Sequence, residues 1–218
     1  MKNLNFFVLA ILFFSFEISN SQTLKIQFGR DWSKLKWPTD GEYSDFKTSL
    51  NGNILFLGVD YFNGKYFNLS SNLGYLQRQG GKSYDKFIDD QHTTLVKSET
   101  SIDQLSLNIK FIIKYPVMER LTPFISIGPT YDYLISQSHK EDRITNIKSG
   151  IFGLILGGGA YYNISRFQIG LNIDYYIYLS NFGDLDSRPS PGMTGFLKSE
   201  DINARTLISS ITLGYRIQ

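Results

Sequence analysis

Cysteine is absent from this chain of 218 residues, and histidine, methionine and proline are scarce. Without cysteine, no disulfide framework and no lipid-modified cysteine can hold the domain. The 22 Lys and Arg residues nearly balance the 20 Asp and Glu residues, and no long run has one sign. Net charge therefore gives no support for nucleic-acid binding, and stability must come from packing or from a membrane.

Long apolar runs are missing except at the N-terminus, where residues 6–14 follow Lys2. This run is too short to cross a bilayer as a helix, and the small residues Ser19 and Ser21 come after it. The arrangement is typical of a secretory signal peptide over residues 1–21, cleaved near Gln22. We therefore expect an exported protein.

The remaining residues, 22–218, have a length that is common for one all-β domain. They contain no segment long and apolar enough for a transmembrane helix, so any insertion into a membrane must use strands. The 14 Tyr, 17 Phe and 19 Gly suit curved β-sheet.

Apolar and polar residues alternate through most of the chain. The alternation is clearest in residues 105–115, 125–135 and 167–179. Weaker copies occupy residues 24–28, 55–61, 67–75, 152–162 and 207–217. Segments of about ten residues with this period are typical of strands that cross a membrane in a β-barrel, and the sequence predicts about eight of them.

The connections between these segments alternate in length. Tight turns are predicted at residues 63–65, 116–120 and 163–166, and long polar loops at residues 30–52, 79–101, 137–149 and 180–204. This rhythm predicts an up-and-down antiparallel barrel, with short periplasmic turns and long outer loops.

Folding each hairpin about its tight turn brings like faces together. The predicted pairs are Tyr61 with Phe67, Asp60 with Asn68, Tyr115 with Leu121, Ile109 with Ile127, and Tyr162 with Phe167. Aromatic residues on the apolar face also share the short-turn ends of the strands, as in a periplasmic aromatic girdle. They are Tyr61, Phe67, Tyr115, Tyr162, Phe167 and Tyr215.

The other face of the strands is polar or charged at most positions. Its predicted members are Lys25, Gln27, Asp60, Asn68, Asn72, Asn108, Lys110, Asp132, Gln168, Asn172, Asp174 and Arg216. In a transmembrane barrel these side chains fill the interior. The alternative is a soluble periplasmic lipocalin-like barrel that binds a small hydrophobic ligand. In that barrel the polar side chains face the solvent. The long apolar residues on one face of every strand favour the membrane.

Three segments in order carry a family resemblance. Residues 123–134 contain a proline, an apolar strand, Gly-Pro and Tyr-Leu, residues 152–159 form a glycine-rich strand, and residues 174–181 begin a strand that leads into a loop. They resemble the PorT-like outer-membrane β-barrel family of Bacteroidota, although Asp174 stands where that family has a basic residue. The resemblance implies the barrel fold, while the type IX secretion role of the namesake proteins stays open.

Residues for catalysis or for metal binding are few. His92 and His139 lie in predicted loops without metal-ligand spacing, and the pair Asp89 and Asp90 is at best a weak cation site. The glycines at 157–159 lie inside a strand pattern, which favours curvature or close packing over a phosphate loop. We predict no catalytic, cofactor-binding or metal-binding residues.

Trp32 and Trp37 lie in the first predicted loop, where packing near the outer headgroups is favoured over a partner or glycan anchor. The last strand, residues 211–218, resembles the signal by which bacterial barrels are recognised for insertion. The expected partners are therefore outer-membrane lipid, the barrel-assembly machinery during insertion, and envelope proteins at the outer loops. Because side chains fill a barrel of eight strands, we expect no constitutive pore.

The sequence thus predicts a non-enzymatic integral protein of the outer membrane. Its long loops would serve envelope structure, adhesion or a secretion or assembly complex.

Overall fold

The computed structural model of the chain describes residues 22–36, 47–61, 64–89, 92–140, 144–181, 183–185 and 203–217. Residues 1–21, with the predicted signal peptide and its cleavage position, lie outside these ranges, as do Trp37 and Asp90. In the described part of the chain, no helix is long and apolar enough to cross a membrane.

Eight strands form a closed barrel. They are β1 (Thr23–Lys36), β2 (Lys47–Asp60), β3 (Phe67–Asp89), β4 (His92–Lys114), β5 (Leu121–Lys140), β7 (Gly150–Ile164), β8 (Phe167–Tyr178) and β10 (Asn203–Arg216). The order around the barrel is β1, β10, β8, β7, β5, β4, β3, β2, and every neighbouring pair is antiparallel. The predicted up-and-down barrel of about eight strands is confirmed.

Two short strands, β6 (Ile144–Ile147) and β9 (Gly183–Leu185), pair with each other outside the barrel. They lie in the connections that follow β5 and β8, so these two connections meet above the barrel. We call the end with the long connections the upper end and the end with the short turns the lower end.

The predicted long loops are partly wrong, because strands continue into all of them. β3 and β4 are each 23 residues long, and their ladder runs through most of residues 79–101. β1 and β2 likewise pair as far as Lys36 and Lys47. The apolar alternation stops along these extensions, but the backbone hydrogen bonds of a hairpin do not need that alternation to continue.

The hairpin registers differ from the predicted ones by two residues. The amide of Tyr61 donates to the carbonyl of Leu69 at 2.8 Å, and that of Tyr115 donates to Pro123 at 2.9 Å. Around the third turn, Tyr162 lies opposite Ile169. A shift of two residues leaves each side chain on its predicted face, since side chains alternate with period two.

The turn between β7 and β8 consists of Ser165 and Arg166 alone, with Ser165 in the left-handed region at φ 53°. This turn is tighter than the predicted segment 163–166. A two-residue hairpin turn requires positive φ at one or both positions, which accounts for the conformation of Ser165.

The two faces of the wall are as predicted. The predicted interior side chains are all buried except Arg216, which is partly exposed. Apolar side chains point outward; Leu171 is 64% exposed and Leu57 is 58% exposed. A polar inside and an apolar outside are the reverse of a soluble barrel, so the lipocalin-like alternative is not favoured.

The predicted aromatic girdle lies on the outside at the lower end. Phe67, Tyr115, Tyr162, Phe167 and Tyr215 are exposed there, and Tyr61 is partly buried. The rings of Phe167 and Tyr215 are 5.3 Å apart between centroids.

Candidate functional site

Arg78 of β3 lies in the upper half of the lumen, and its side chain is fully buried. Its Nε donates to Oδ2 of Asp31 at 2.5 Å, and its Nη1 donates to Oε1 of Gln104. Its Nη2 donates to the hydroxyl of Tyr178 at 2.9 Å. Three of the fork-like donors of one guanidinium are thus directed to three different strands.

Gly52 explains how Arg78 and Asp31 meet. Asp31, Gly52 and Arg78 lie in one row across β1, β2 and β3. A Cβ at position 52 would lie 2.6 Å from Oδ1 of Asp31 and 1.6 Å from the carbonyl oxygen of Gln77. Because glycine has no side chain, it leaves room on the inner face of β2 for the ion pair between Asp31 and Arg78.

The network continues from Tyr178 to the opposite wall. The hydroxyl of Tyr178 donates to Oδ2 of Asp132 at 2.5 Å, and Thr130 donates to the other oxygen of that carboxylate at 3.2 Å. Asp31 lies on β1 and Asp132 on β5, which are opposite each other in the order of the barrel. The chain of contacts from Asp31 through Arg78 and Tyr178 to Asp132 thus bridges the lumen.

A second ion pair crosses the lumen below this network. Nζ of Lys110 on β4 donates to Oδ2 of Asp174 on β8 at 2.6 Å. Gly157 on β7 lies beside it, and a Cβ there would come within 2.1 Å of Oδ1 of Asp174 and 2.6 Å of Oγ of Ser126. Close packing, the favoured interpretation of the glycines at 157–159, is confirmed at this position.

A third ion pair, between Lys25 and Asp60, lies near the lower end. Nζ of Lys25 also donates to Oγ of Ser70 at 2.8 Å. Higher up, Nδ2 of Asn72 donates to Oδ1 of Asn108 at 2.8 Å. These contacts tie β1, β2, β3 and β4 together through the polar interior.

The upper half of the lumen is largely apolar, which the sequence interpretation missed. One cluster of buried side chains surrounds Arg78: Leu50, Ile54, Phe56, Leu76, Ile102, Ile151, Ile155, Tyr176, Tyr178, Ala204 and Ile208. The predicted polar side chains do lie inside, but the sequence did not predict the apolar side chains that accompany them in this half. In the lower half, a smaller cluster holds Ile112, Phe124 and Tyr161, with the two rings stacked at 4.3 Å.

The residues that we considered for chemistry are not brought together. His92 is the first residue of β4 and lies opposite Asp89, while His139 belongs to β5 and lies opposite Thr100. Both were predicted in loops, and both are in strands. Within the ranges that the structure describes, no group of three or more His, Cys, Asp or Glu residues could hold a metal ion.

The network around Arg78 was missed although Asp132 was predicted to face the interior, because Asp31 and Arg78 lie at the edges of predicted loops. Asp31 was assigned to the first loop, and Arg78 fell between the predicted strand 67–75 and the predicted loop 79–101. Asp31 and Ser33 continue the alternation that turns Lys25 and Gln27 inward. This alternation could have identified both residues as lining the lumen. The partner of a buried arginine depends on contacts across the barrel, which no local pattern contains.

Above the barrel, β3 and β4 project as a hairpin. The pairing of β3 with β2 ends at Gln79, and the pairing of β4 with β5 ends at Glu99. The pairing between β3 and β4 continues to Phe87 and beyond. Residues 80–89 of β3 and 92–98 of β4 extend past their neighbours, so about seven residues of each strand, or about 23 Å, project beyond both.

The sequence matches the family of outer membrane protein β-barrel domains over residues 13–184, which is most of the chain. The chain belongs to this family. It is an outer-membrane β-barrel protein, and its apolar outer face is the one that contacts lipid. No curated protein matches the sequence.

Two solved outer-membrane barrels, OprG and AlkL, have the same fold. OprG from Pseudomonas aeruginosa aligns over 90% of this chain and 97% of its own, with a TM-score of 0.54 at 12% identity. AlkL, whose structure was determined by solid-state NMR in DMPC bilayers, aligns over 94% of this chain and 93% of its own, with a TM-score of 0.51 at 14% identity. The protease OmpT from Escherichia coli aligns with a TM-score of 0.48 at 10% identity, over 91% of this chain and 97% of its own.

Proposed function

We propose that this protein is a non-enzymatic scaffold of the outer membrane, which holds the β3–β4 hairpin and the other long connections at the cell surface for a partner in the envelope. The observation that carries the proposal is the contrast between a filled lumen and a projecting hairpin. A transporter needs an open path and an enzyme needs a cleft, whereas a scaffold needs a rigid wall and an accessible segment.

The filled lumen supports the absence of a constitutive pore and of catalysis. Arg78 and its carboxylate partners are directed at one another across the barrel rather than toward a cleft. Bridging contacts from β1 to β5 and from β4 to β8 hold the wall rigid at two heights.

The finer assignments follow the sequence. We propose export by a signal peptide cleaved near Gln22, insertion by the barrel-assembly machinery, and an orientation with the upper end outside the cell. We also propose membership of the PorT-like group of Bacteroidota, on the residues quoted above. Among the roles for such a scaffold, adhesion, envelope structure and membership of a secretion or assembly complex all use the same exposed hairpin.

The test is a shortened hairpin. Replacing residues 83–97 by Asn-Gly closes a two-residue turn directly between the paired residues Lys82 and Ser98. We expect this variant to reach the outer membrane and to keep the heat-dependent gel shift of a folded barrel. A photo-crosslinking residue at Asp89 should capture envelope proteins in the full-length chain, while one at Met118 in a short turn should not.

Equal capture from Asp89 and Met118 would contradict the proposal, because the hairpin would then have no particular role. Steady porin-like conductance of the purified protein in planar bilayers would also contradict it. Loss of the folded barrel on shortening would show that the hairpin is part of the wall rather than a presented segment.

A further inference from the structure

The outer wall of the barrel is not uniformly apolar. On β10, β1 and β2, the upper half of the outward face carries exposed polar and basic side chains. They are Arg30, Lys34, Asn51, Asn53, Arg205 and Ser209. On the neighbouring strand β8, outward residues stay apolar or aromatic from Phe167 to Leu179. A polar patch therefore interrupts one side of the lipid-facing wall.

The patch lies at the height of the upper headgroups. Lys34 is ten residues beyond Leu24, the lowest outward residue of β1, and Arg205 is ten residues from Tyr215 on β10. At about 3.3 Å per residue and a tilt of about 40°, ten residues rise about 25 Å, the height of the apolar band of such barrels. Arg30 lies two residues below Trp32 on the same outward face of β1. Its long side chain can extend upward to the level of the headgroups.

The two upper cations face each other directly. Lys34 and Arg205 are opposite residues of the β1–β10 ladder, which places their Cβ atoms about 5 Å apart. The outward side chains that the structure describes on β8, β10, β1 and β2 include no Asp or Glu. Like charges in this position destabilise a sheet unless an anion lies between them. The described part of this wall therefore presents positive charge that no described outward acidic side chain of these strands offsets, and this charge attracts an anionic ligand.

We propose that Lys34, Arg205 and Arg30 form a binding site for the anionic, phosphate-bearing headgroup of a membrane lipid at the upper end of the barrel. A guanidinium binds phosphate through two parallel hydrogen bonds, and an ammonium adds a point charge. Asn51, Asn53 and Ser209 offer further donors beside them. Trp32, exposed between Arg30 and Lys34, has an amphipathic ring suited to the interface. The inference rests on the outer-membrane barrel and is independent of any protein partner.

Trp32 allows a direct test, since the chain has two tryptophans and Trp37→Phe leaves Trp32 as the reporter. The full-length protein purified from membranes is placed in phosphatidylcholine vesicles that contain a small fraction of phosphatidic acid with brominated chains. Bromine quenches tryptophan on contact. Two basic side chains at a membrane surface are expected to enrich the anionic lipid about thirtyfold around Trp32, relative to brominated phosphatidylcholine at the same fraction.

The variant Lys34→Gln with Arg205→Gln should lose this enrichment. The matched control, Lys65→Gln with Lys148→Gln, removes two exposed lysines elsewhere and should retain it. The single variant Lys34→Gln provides the same comparison if the double variant does not show the gel shift of a folded barrel. Equal quenching by the two brominated lipids, or equal loss in the control, would overturn the proposal. Release of the enrichment by inorganic phosphate at the concentration of the lipid would overturn the assignment to a lipid.

Discussion

The two halves of the lumen are filled in different ways. The upper half packs eleven apolar or aromatic residues around one buried arginine, whereas the lower half is filled mainly by amides, hydroxyls and two lysine–aspartate pairs. The difference teaches that a barrel of this size can be closed by a hydrophobic core at one end and by a hydrogen-bonded network at the other. The upper half should therefore respond strongly to changes in side-chain volume, whereas the loss of a single neutral hydrogen bond in the lower half should cost little.

The largest effect is expected at Arg78. Replacing it by Met removes the ion-pair partner of Asp31 and the positive charge near Asp132, so both buried carboxylates lose their compensating charge. Removing one member of a buried charged pair costs about 3–5 kcal/mol. We expect a loss of this order in the free energy of unfolding, measured by urea titration in lipid vesicles.

The control for Arg78→Met is its combination with Asp31→Asn, which removes one of the two uncompensated charges. This double variant should recover part of the lost stability. If Arg78→Met were as stable as the native protein, the bridging network would have no structural role.

The next largest effect is expected in the apolar cluster. Ile155 is fully buried in the upper half, and Ile155→Ala should destabilise the barrel by about 2–5 kcal/mol through lost packing and a residual cavity. The neighbouring Leu156 faces outward, where lipid fills the space, so Leu156→Ala is the matched control. The same urea titration compares them, and an equal loss from both variants would mean that the upper lumen is not a packed core.

A small effect is expected in the lower half of the lumen. Asn108→Ser removes the hydrogen bond from Asn72 but leaves a polar group in polar surroundings. We expect a loss of about 1 kcal/mol, the net contribution of one such bond. Destabilisation as large as that of Ile155→Ala would remove the distinction between the two halves.

The sequence predicted the strands of the barrel wall better than the side-chain contacts inside the lumen. The alternation of apolar and polar residues predicted which face of the wall each side chain takes. An error of two residues in a hairpin register does not change that face, because side chains alternate with period two. The apolar cluster in the upper half of the lumen was not predicted. Leu50 and Ile102 lie in segments without outward apolar residues, so no regular pattern of apolar and polar residues marks these segments as strands. The partners of Arg78 lie on strands distant in sequence, and only the closed barrel brings them together. The length of the β3–β4 hairpin was not predicted either. A β-ladder outside the membrane needs no apolar face, so its sequence shows no apolar alternation.

The most direct test of the account compares two neighbouring residues of β4. Ile109 faces outward and Asn108 is buried in the lumen. The chain has no native cysteine, so Ile109→Cys and Asn108→Cys each carry a single thiol. These variants are treated in intact outer membranes with a membrane-impermeant thiol reagent and with a lipid-soluble one. The account predicts that Ile109→Cys reacts with the lipid-soluble reagent alone and that Asn108→Cys is protected. Protection of Ile109→Cys from both reagents, together with ready labelling of Asn108→Cys by the impermeant one, would contradict a barrel whose apolar face meets lipid.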